Sequence, residues 1–331
     1  MAKTRSKRKK GFGESPIPTH NAKRLMLGLR ACVAQTNGDI DGIFDFLVAH
    51  RSQLDETLLE ALAPTFEKMV ATEVPEHRHR IGSLFGIFAT MVEQLPFGNP
   101  ALNQELALIS YQLVLRVKTR KVFPKDWAEI QCCLGVCYRN RIRGDHAENI
   151  EWAIAAYEAS LQILTREAFP DDWARLHNNL GNAYRDCIQG DKASNVQQAF
   201  AAYELALEVY TQKALPEDWA MVQNNLGLAH CSRVEGERTE HLEAAIKAYQ
   251  SALEVYSYGK LPEDWAGVKT NLANVYCHRI EGDKVENLEQ AIAAYRSALK
   301  VYTREDFAFE RTEVMLNLGK AQAKLSELKG N

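Results

Sequence analysis

Between residues 123 and 303 the apolar positions follow a helical period, and the pattern recurs. In one stretch Trp173, Leu176, Leu180, Ala183 and Tyr184 fall at spacings that, at about 100° per residue, share one face. A second amphipathic stretch follows it, marked by Ala-x3-Tyr-x3-Leu at Ala199, Tyr203 and Leu207. The same pair of stretches returns around Ala153, Tyr157 and Leu161, around Ala245, Tyr249 and Leu253, and around Ala291, Tyr295 and Leu299. Each first stretch opens with a Pro-x-Asp-Trp-Ala phrase, and Trp127, Trp173, Trp219 and Trp265 stand 46 residues apart without slippage. Proline followed by acidic residues suits a first helical turn. Each first helix stops at a Gly-acid step: Gly144-Asp145, Gly190-Asp191, Gly236-Glu237 and Gly282-Asp283. Asn149, Asn195 and Asn287, with His241 in the odd copy, are the expected N-caps of the second helices. A fixed period of this size predicts a stack of helical pairs, which offers an extended binding surface rather than a catalytic pocket.

These motifs resemble the tetratricopeptide repeat (TPR). The Leu-Gly-x2-Tyr element stands at Leu134-Gly135-x2-Tyr138 and Leu180-Gly181-x2-Tyr184, and with one substitution each at Leu226-Gly227-x2-His230 and Leu272-Ala273-x2-Tyr276. The Ala-x3-Tyr of the second helix matches the family's Ala-x3-Phe. The period departs from the family's, being 46 rather than about 34 residues. We place the extra residues in the Gly-acid loop and the Pro-x-Asp-Trp lead-in. The seven-residue gap from Trp to Leu also implies a longer first helix. Long repeats of this kind look like bacterial arrays that accompany CHAT-type caspase-like proteases. The resemblance implies an all-α, TPR-like α-solenoid, a right-handed superhelix of antiparallel helix pairs.

Outside the regular copies the pattern decays as terminal repeats do. The reading divides the chain into a basic disordered tail (1–24), a helical extension (25–77), a degenerate repeat (78–122), four 46-residue repeats (123–306) and a C-terminal capping helix (307–331).

In TPR arrays the first helices line the concave groove, so their flank is the expected ligand face. On that flank stand Arg175, Asn179, Asn182 and Asp186 in one copy. The other copies place Asn225, Asn271, Asn274, His278, Asn317, Lys320 and Lys324 there. Asn179, Asn225, Asn271 and Asn317 recur once per repeat while their neighbours vary. An amide carries a donor and an acceptor on one plane, so a row of them can pair with an extended peptide backbone. The variable neighbours Arg175, Asp186, His278, Lys320 and Lys324 would then bias sequence choice. Two other readings of the row remain open: duplication copies idle residues, and an amide can tie adjacent helices together. Some TPR proteins clamp a terminal carboxylate with Lys and Asn. Asn182 and Asn225 suit such a clamp, but the accompanying basic residues are missing beside them.

Composition narrows the class further. Apolar and charged fractions of 46% and 25% are those of a folded soluble protein. No apolar run approaches the roughly 18 residues of a membrane span. Seven cysteines without paired spacing point to reduced thiols and a cytoplasmic setting. The net charge of −3 divides into +7 over residues 1–24 and −10 over the rest. Lys3, Arg5, Lys7, Arg8, Lys9 and Lys10 are a candidate nucleic-acid contact through phosphates. His230-Cys231 and Cys277-His278 carry no nucleophile–base geometry, because neighbours on a helix point about 100° apart. No zinc spacing and no Gly-rich phosphate loop is present. The expectation is a non-catalytic scaffold without metal or cofactor that binds an extended peptide or a helix. The alternatives are a regulatory subunit of a CHAT-type protease or defence effector, and a nucleic-acid-associated protein.

Overall fold

The computed structural model describes residues 18–233, 236–303 and 307–330. The described residues form α-helices and short turns, with no strand among them. The basic residues expected to touch nucleic acid, Lys3 to Lys10, lie outside this set.

Two compact units divide the chain after Gly144. The first holds α1 (Pro18–Gln35), α2 (Ile40–Ala49), α3 (Glu56–Thr72), α4 (Arg78–Glu93), α5 (Pro100–Val114) and α6 (Pro124–Arg139). Helix α1 starts at Pro18, and Ala22, Leu25, Met26 and Leu29 are buried. The last residues of the segment expected as a tail are therefore helical, and α1 runs from there into the expected helical extension. Helices α4 and α5 pack as a hairpin within the span read as a degenerate repeat.

The second unit holds α7 (His146–Leu161), α8 (Pro170–Asp186), α9 (Lys192–Leu207), α10 (Pro216–Ser232), α11 (Arg238–Leu253), α12 (Pro262–His278), α13 (Lys284–Ala298) and α14 (Ala308–Lys329). Helix α8 packs on α9, α10 on α11 and α12 on α13, and each pair also packs on its neighbour in the chain. Proline occupies the first turn of α6, α8, α10 and α12, where its missing N–H costs nothing. The lead-in phrase is thus the first turn of the helix itself.

The turn into each second helix differs from the expected one. The acidic residue of the Gly-acid step is the N-cap: Asp145 accepts from the Glu148 N–H at 3.0 Å, Asp191 from Ser194 at 2.8 Å and Asp283 from Glu286 at 2.9 Å. Asn195 and Asn287, expected as caps, stand one turn inside the helix. Their side chains reach back and donate to loop carbonyls, Asn195 to Gln189 and Asn287 to Glu281, both at 2.7 Å. A carboxylate at the N-cap faces the free N–H groups of the first turn and caps better than an amide already within the helix. Asn103 repeats the arrangement in the α4–α5 hairpin, donating to the Phe97 carbonyl at 3.0 Å beside Gly98 and the cap Asn99. The glycine of each step has a positive φ, for example 74° at Gly190, which explains why the step begins with glycine.

Packing within a hairpin centres on one contact. Tyr203 of α9 and Tyr249 of α11 are buried, and their rings lie against Gly181 and Gly227 of the preceding helix. The intervening alanines Ala199, Ala245 and Ala291 are fully buried, which lets the helices approach. Half-buried Trp219 packs against the apolar clusters of two successive repeats, so the repeated tryptophan works as a joint between hairpins. A second joint ties the loop after a first helix to the preceding second helix. Arg279 grips Glu243 with two bonds of 2.7 and 2.8 Å, as Arg141 grips Glu105 in the first unit at 2.7 and 2.9 Å. Where arginine is replaced by Cys187, the thiol points at Glu151. Arg233, whose opposite position is Gln197 rather than glutamate, lies over the Phe200 ring instead.

Candidate functional site: a basic groove on the second unit

The asparagine row runs through the first-type helices, and most of its members bond to neighbouring helices. Asn225 is buried and donates to the Asn178 Oδ1 at 2.8 Å, α10 to α8. Asn271 donates to the Asn224 Oδ1 at 3.1 Å, α12 to α10, and is half-buried. Asn317 of α14 donates at 3.5 Å to the Asn274 Oδ1 of α12. Half-buried Asn179 has no side-chain hydrogen bond among the described residues. The donors recur every 46 residues, but each acceptor of the first two bonds stands 47 residues earlier. The partner is therefore the residue before the repeated asparagine, not its equivalent. The doublets Asn178-Asn179 and Asn224-Asn225 carry that signal, and a search for a single repeated position passes over it.

Asn182, expected on the ligand face, is buried. Its Oδ1 accepts from the Tyr203 hydroxyl at 2.9 Å and from Arg185 at 3.2 Å. The Asn274 Oδ1 accepts from the Tyr295 hydroxyl in the same way. A buried phenol needs an acceptor, so these amides serve the hairpin core. Thr90 and Tyr111 share a hydroxyl–hydroxyl hydrogen bond of 2.9 Å at the matching place in the first unit. Arg175 is exposed and pairs with Asp172 on its own helix at 2.6 Å, and Asp186 pairs with Arg185 at 3.0 Å.

The remaining expected residues come together at the C-terminal end of the second unit. Asn274, His278, Asn317, Lys320 and Lys324 line a cavity of about 400 Å³ between α12, α13 and α14, with Tyr295 and Cys277 on its walls. A second cavity of about 170 Å³ adjoins it, lined by Asn271, Arg238, Cys231 and Tyr249 among others. The two share Asn274 and His278, so they form one groove. Arg238, Lys320 and Lys324 supply its charge, His278 adds a basic ring beside them, and neither cavity is lined by an aspartate or glutamate. In a chain of net charge −3 this concentrates positive potential in one concave place. Arg238 was not among the expected site residues. It comes from a second helix, whereas the expected ligand face lies on the first helices alone.

The cysteines in this groove are not primed as nucleophiles. Burial pushes the Cys277 thiol up, and hydrogen bonding to Tyr295 and the Lys324 charge only partly oppose it. Burial raises Cys231 as well, and its sulfur lies 3.9 Å from the Tyr249 hydroxyl. Burial, with smaller contributions from Arg233 and His241, depresses His230 to about 4, and its ring packs on Phe200 at 4.7 Å between centroids. A thiol held protonated and an imidazole held neutral away from it lack the pairing that activates a cysteine. No group of three or more His, Cys, Asp or Glu placed to hold a metal ion occurs among the described residues. No helix among them is long and apolar enough to cross a membrane.

The fold and the groove define an all-α, TPR-like solenoid of repeated helical hairpins with a basic recess between first-type helices. Among solved structures it is similar to the assembly chaperone of RpL4, Acl4 (residues 1–338). The TM-score is 0.51 at 16% sequence identity, covering 88% of this chain and 97% of that one. At this identity the likeness concerns the fold. No protein-family model matches the sequence, and no curated protein matches it.

Proposed function

We propose that this protein is a non-catalytic, cytoplasmic scaffold of the TPR type, and that the groove between α10 and α14 holds an acidic, extended segment of a partner protein. One observation carries the reading: four basic side chains and no acid line a concave recess whose walls also carry amides. Lys320 and Lys324 would meet carboxylates by charge, Arg238 would extend that field along the groove, and His278 would offer a further hydrogen-bonding ring. Asn271, Asn274 and Asn317 keep one amide edge each for the backbone of the bound segment. Asn179 would add a contact further along the row, with Arg175 and Asp186 at its margin. Asn182 and Asn225 hold helices together and support the groove from below. The likeness to an assembly chaperone of RpL4 supports a protein-holding role in general. Ordering a flexible segment costs entropy, so micromolar affinity is expected.

The test is a calorimetric titration with a short glutamate-rich peptide and its glutamine counterpart. The acidic peptide binds, the neutral one does not, and Lys320→Glu/Lys324→Glu abolishes the difference. Equal affinities for both peptides would remove the reading. A second reading, a regulatory subunit of a CHAT-type protease, rests on the resemblance of the long repeats alone, and co-purification from the native host would test it.

A further inference from the structure

Lys320 and Lys324 of α14 occupy places that hold Asn182 and Asp186 in α8, Leu228 and Ser232 in α10, and Asn274 and His278 in α12. No packing role common to the repeats therefore calls for a cation at either place. Both lysines are exposed at the rim of the recess, one helical turn apart on one face, where like charges repel. Arg279 and Lys329, by contrast, meet Glu243 and Glu289 at 2.7 Å each. Neither Lys320 nor Lys324 has an ion pair among the described residues, although Glu313 and Glu327 flank them on the same helix. The amides beside them are arranged to donate. The Asn274 Oδ1 accepts from both the Tyr295 hydroxyl and Asn317, so Asn274 has only its N–H groups left, with no partner for them among the described residues. Asn317 uses one N–H on that bond and keeps the other.

We propose that the recess reads the phosphorylation state of its partner segment, taking a phosphoserine or phosphothreonine whose phosphate lies between Lys320 and Lys324 and accepts from Asn274. This deepens the acidic-segment reading and rests on it. A phosphomonoester carries about 1.5 to 2 negative charges at neutral pH and three acceptor oxygens. It meets both ammonium groups and an amide donor at once. A single carboxylate neutralises one lysine and is matched best by the flat fork of an arginine. Arg238, the arginine that lines the groove, already gives one nitrogen to the Cys231 carbonyl at 3.2 Å. Its place in the adjoining cavity suits an acidic neighbour of the phosphorylated residue. The lysines stand at the rim rather than on the floor, so a short side chain, serine or threonine, bears the phosphate. Capture of the partner thus becomes conditional on its modification.

Fluorescence anisotropy of the full chain with three labelled peptides tests this. The peptides share glutamate-rich flanks and differ at the centre: phosphoserine, serine, or two glutamates in place of the serine and its neighbour. The phosphoserine peptide should bind about tenfold more tightly than the serine peptide and about threefold more tightly than the two-glutamate peptide, which matches its charge. Lys320→Gln/Lys324→Gln should keep the helical circular dichroism spectrum and bring the phosphoserine peptide down to the serine level. Lys300→Gln/Lys329→Gln removes as much charge outside the groove and should leave the preference intact. Equal affinities for the phosphoserine and two-glutamate peptides overturn this inference and leave the acidic-segment reading standing. No binding of any peptide overturns both. A preference that survives the loss of Lys320 and Lys324, or that falls equally in Lys300→Gln/Lys329→Gln, overturns the inference too.

Discussion

One substitution, glycine to alanine, should have opposite effects at two equivalent places in the array. At Gly227 the new methyl would sit 2.4, 2.7 and 2.7 Å from three atoms of the Tyr249 ring. Ordinary contact begins near 3.4 Å, so ring or helix must retreat by about 1 Å. The ring is 1% exposed and enclosed by the core around Leu242, Ala245 and Ala252, so the helices must part to admit the methyl; in this unit only the α12–α13 hairpin, with Ala273 opposite Tyr295, is built for an alanine there. Overpacking of this sort costs about 1–3 kcal/mol, and more where the neighbour cannot yield. Alanine's better helix propensity returns about 1 kcal/mol. Here the clash wins, because three ring atoms are involved, and we expect a net loss of about 2 kcal/mol. At Gly319 the methyl meets nothing, so only the propensity gain of about 0.5–1 kcal/mol remains. Urea unfolding followed by far-ultraviolet circular dichroism would read both. The midpoint should fall for Gly227→Ala and rise slightly for Gly319→Ala. Equal midpoints for the two variants would refute the view that the tyrosine ring sets the hairpin spacing.

Further outcomes follow from the same contacts. His230 is held neutral in the fold at about 4, against an ordinary 6.5, so the unfolded chain takes up its proton first as pH falls. Stability from this residue is complete above about pH 6.5 and is lost between pH 6.5 and 4. The full shift sets a ceiling of about 3 kcal/mol, reduced to about 1–2 kcal/mol by the ring's partial exposure; His230→Tyr should flatten the pH dependence of the urea midpoint over that window. Asn225→Ala leaves the buried Asn178 amide without its donor and should cost about 1–3 kcal/mol in the same unfolding assay. Asp191→Ala removes the cap of α9 and should cost about 1 kcal/mol, seen as faster amide exchange in the first turn of that helix.

The helices themselves were legible in the sequence because period, proline and glycine all agreed at each boundary. The caps were harder to read. Both Asp191 and Asn195 are good capping residues four positions apart, and only the loop carbonyls that Asn195 reaches decide between them. On the candidate face, rotation about the helix placed His278, Asn274, Asn317, Lys320 and Lys324 together, and the structure gathers them at one cavity. It could not separate Asn182 and Asn225 from them, because an amide facing a ligand and an amide facing the next helix occupy nearly the same angle. What distinguishes them is the tyrosine hydroxyl or the asparagine waiting across the interface. The alternation of Arg141–Glu105 and Arg279–Glu243 with Arg233 opposite Gln197 was also present in the sequence. It becomes meaningful only once loop and helix are known to touch.

The amide bonds that join α8 to α10 and α10 to α12 both span 47 positions. Everything needed to seat one hairpin on the last is thus written within little more than a single period of the chain. A gene segment of 46 codons copied in frame would bring its own joints with it, and lengthening the array asks for no compensating change elsewhere. Growth and shrinkage by whole cassettes is therefore the mutational path of least resistance for this protein, and the interior of the array is where lineages should differ in size.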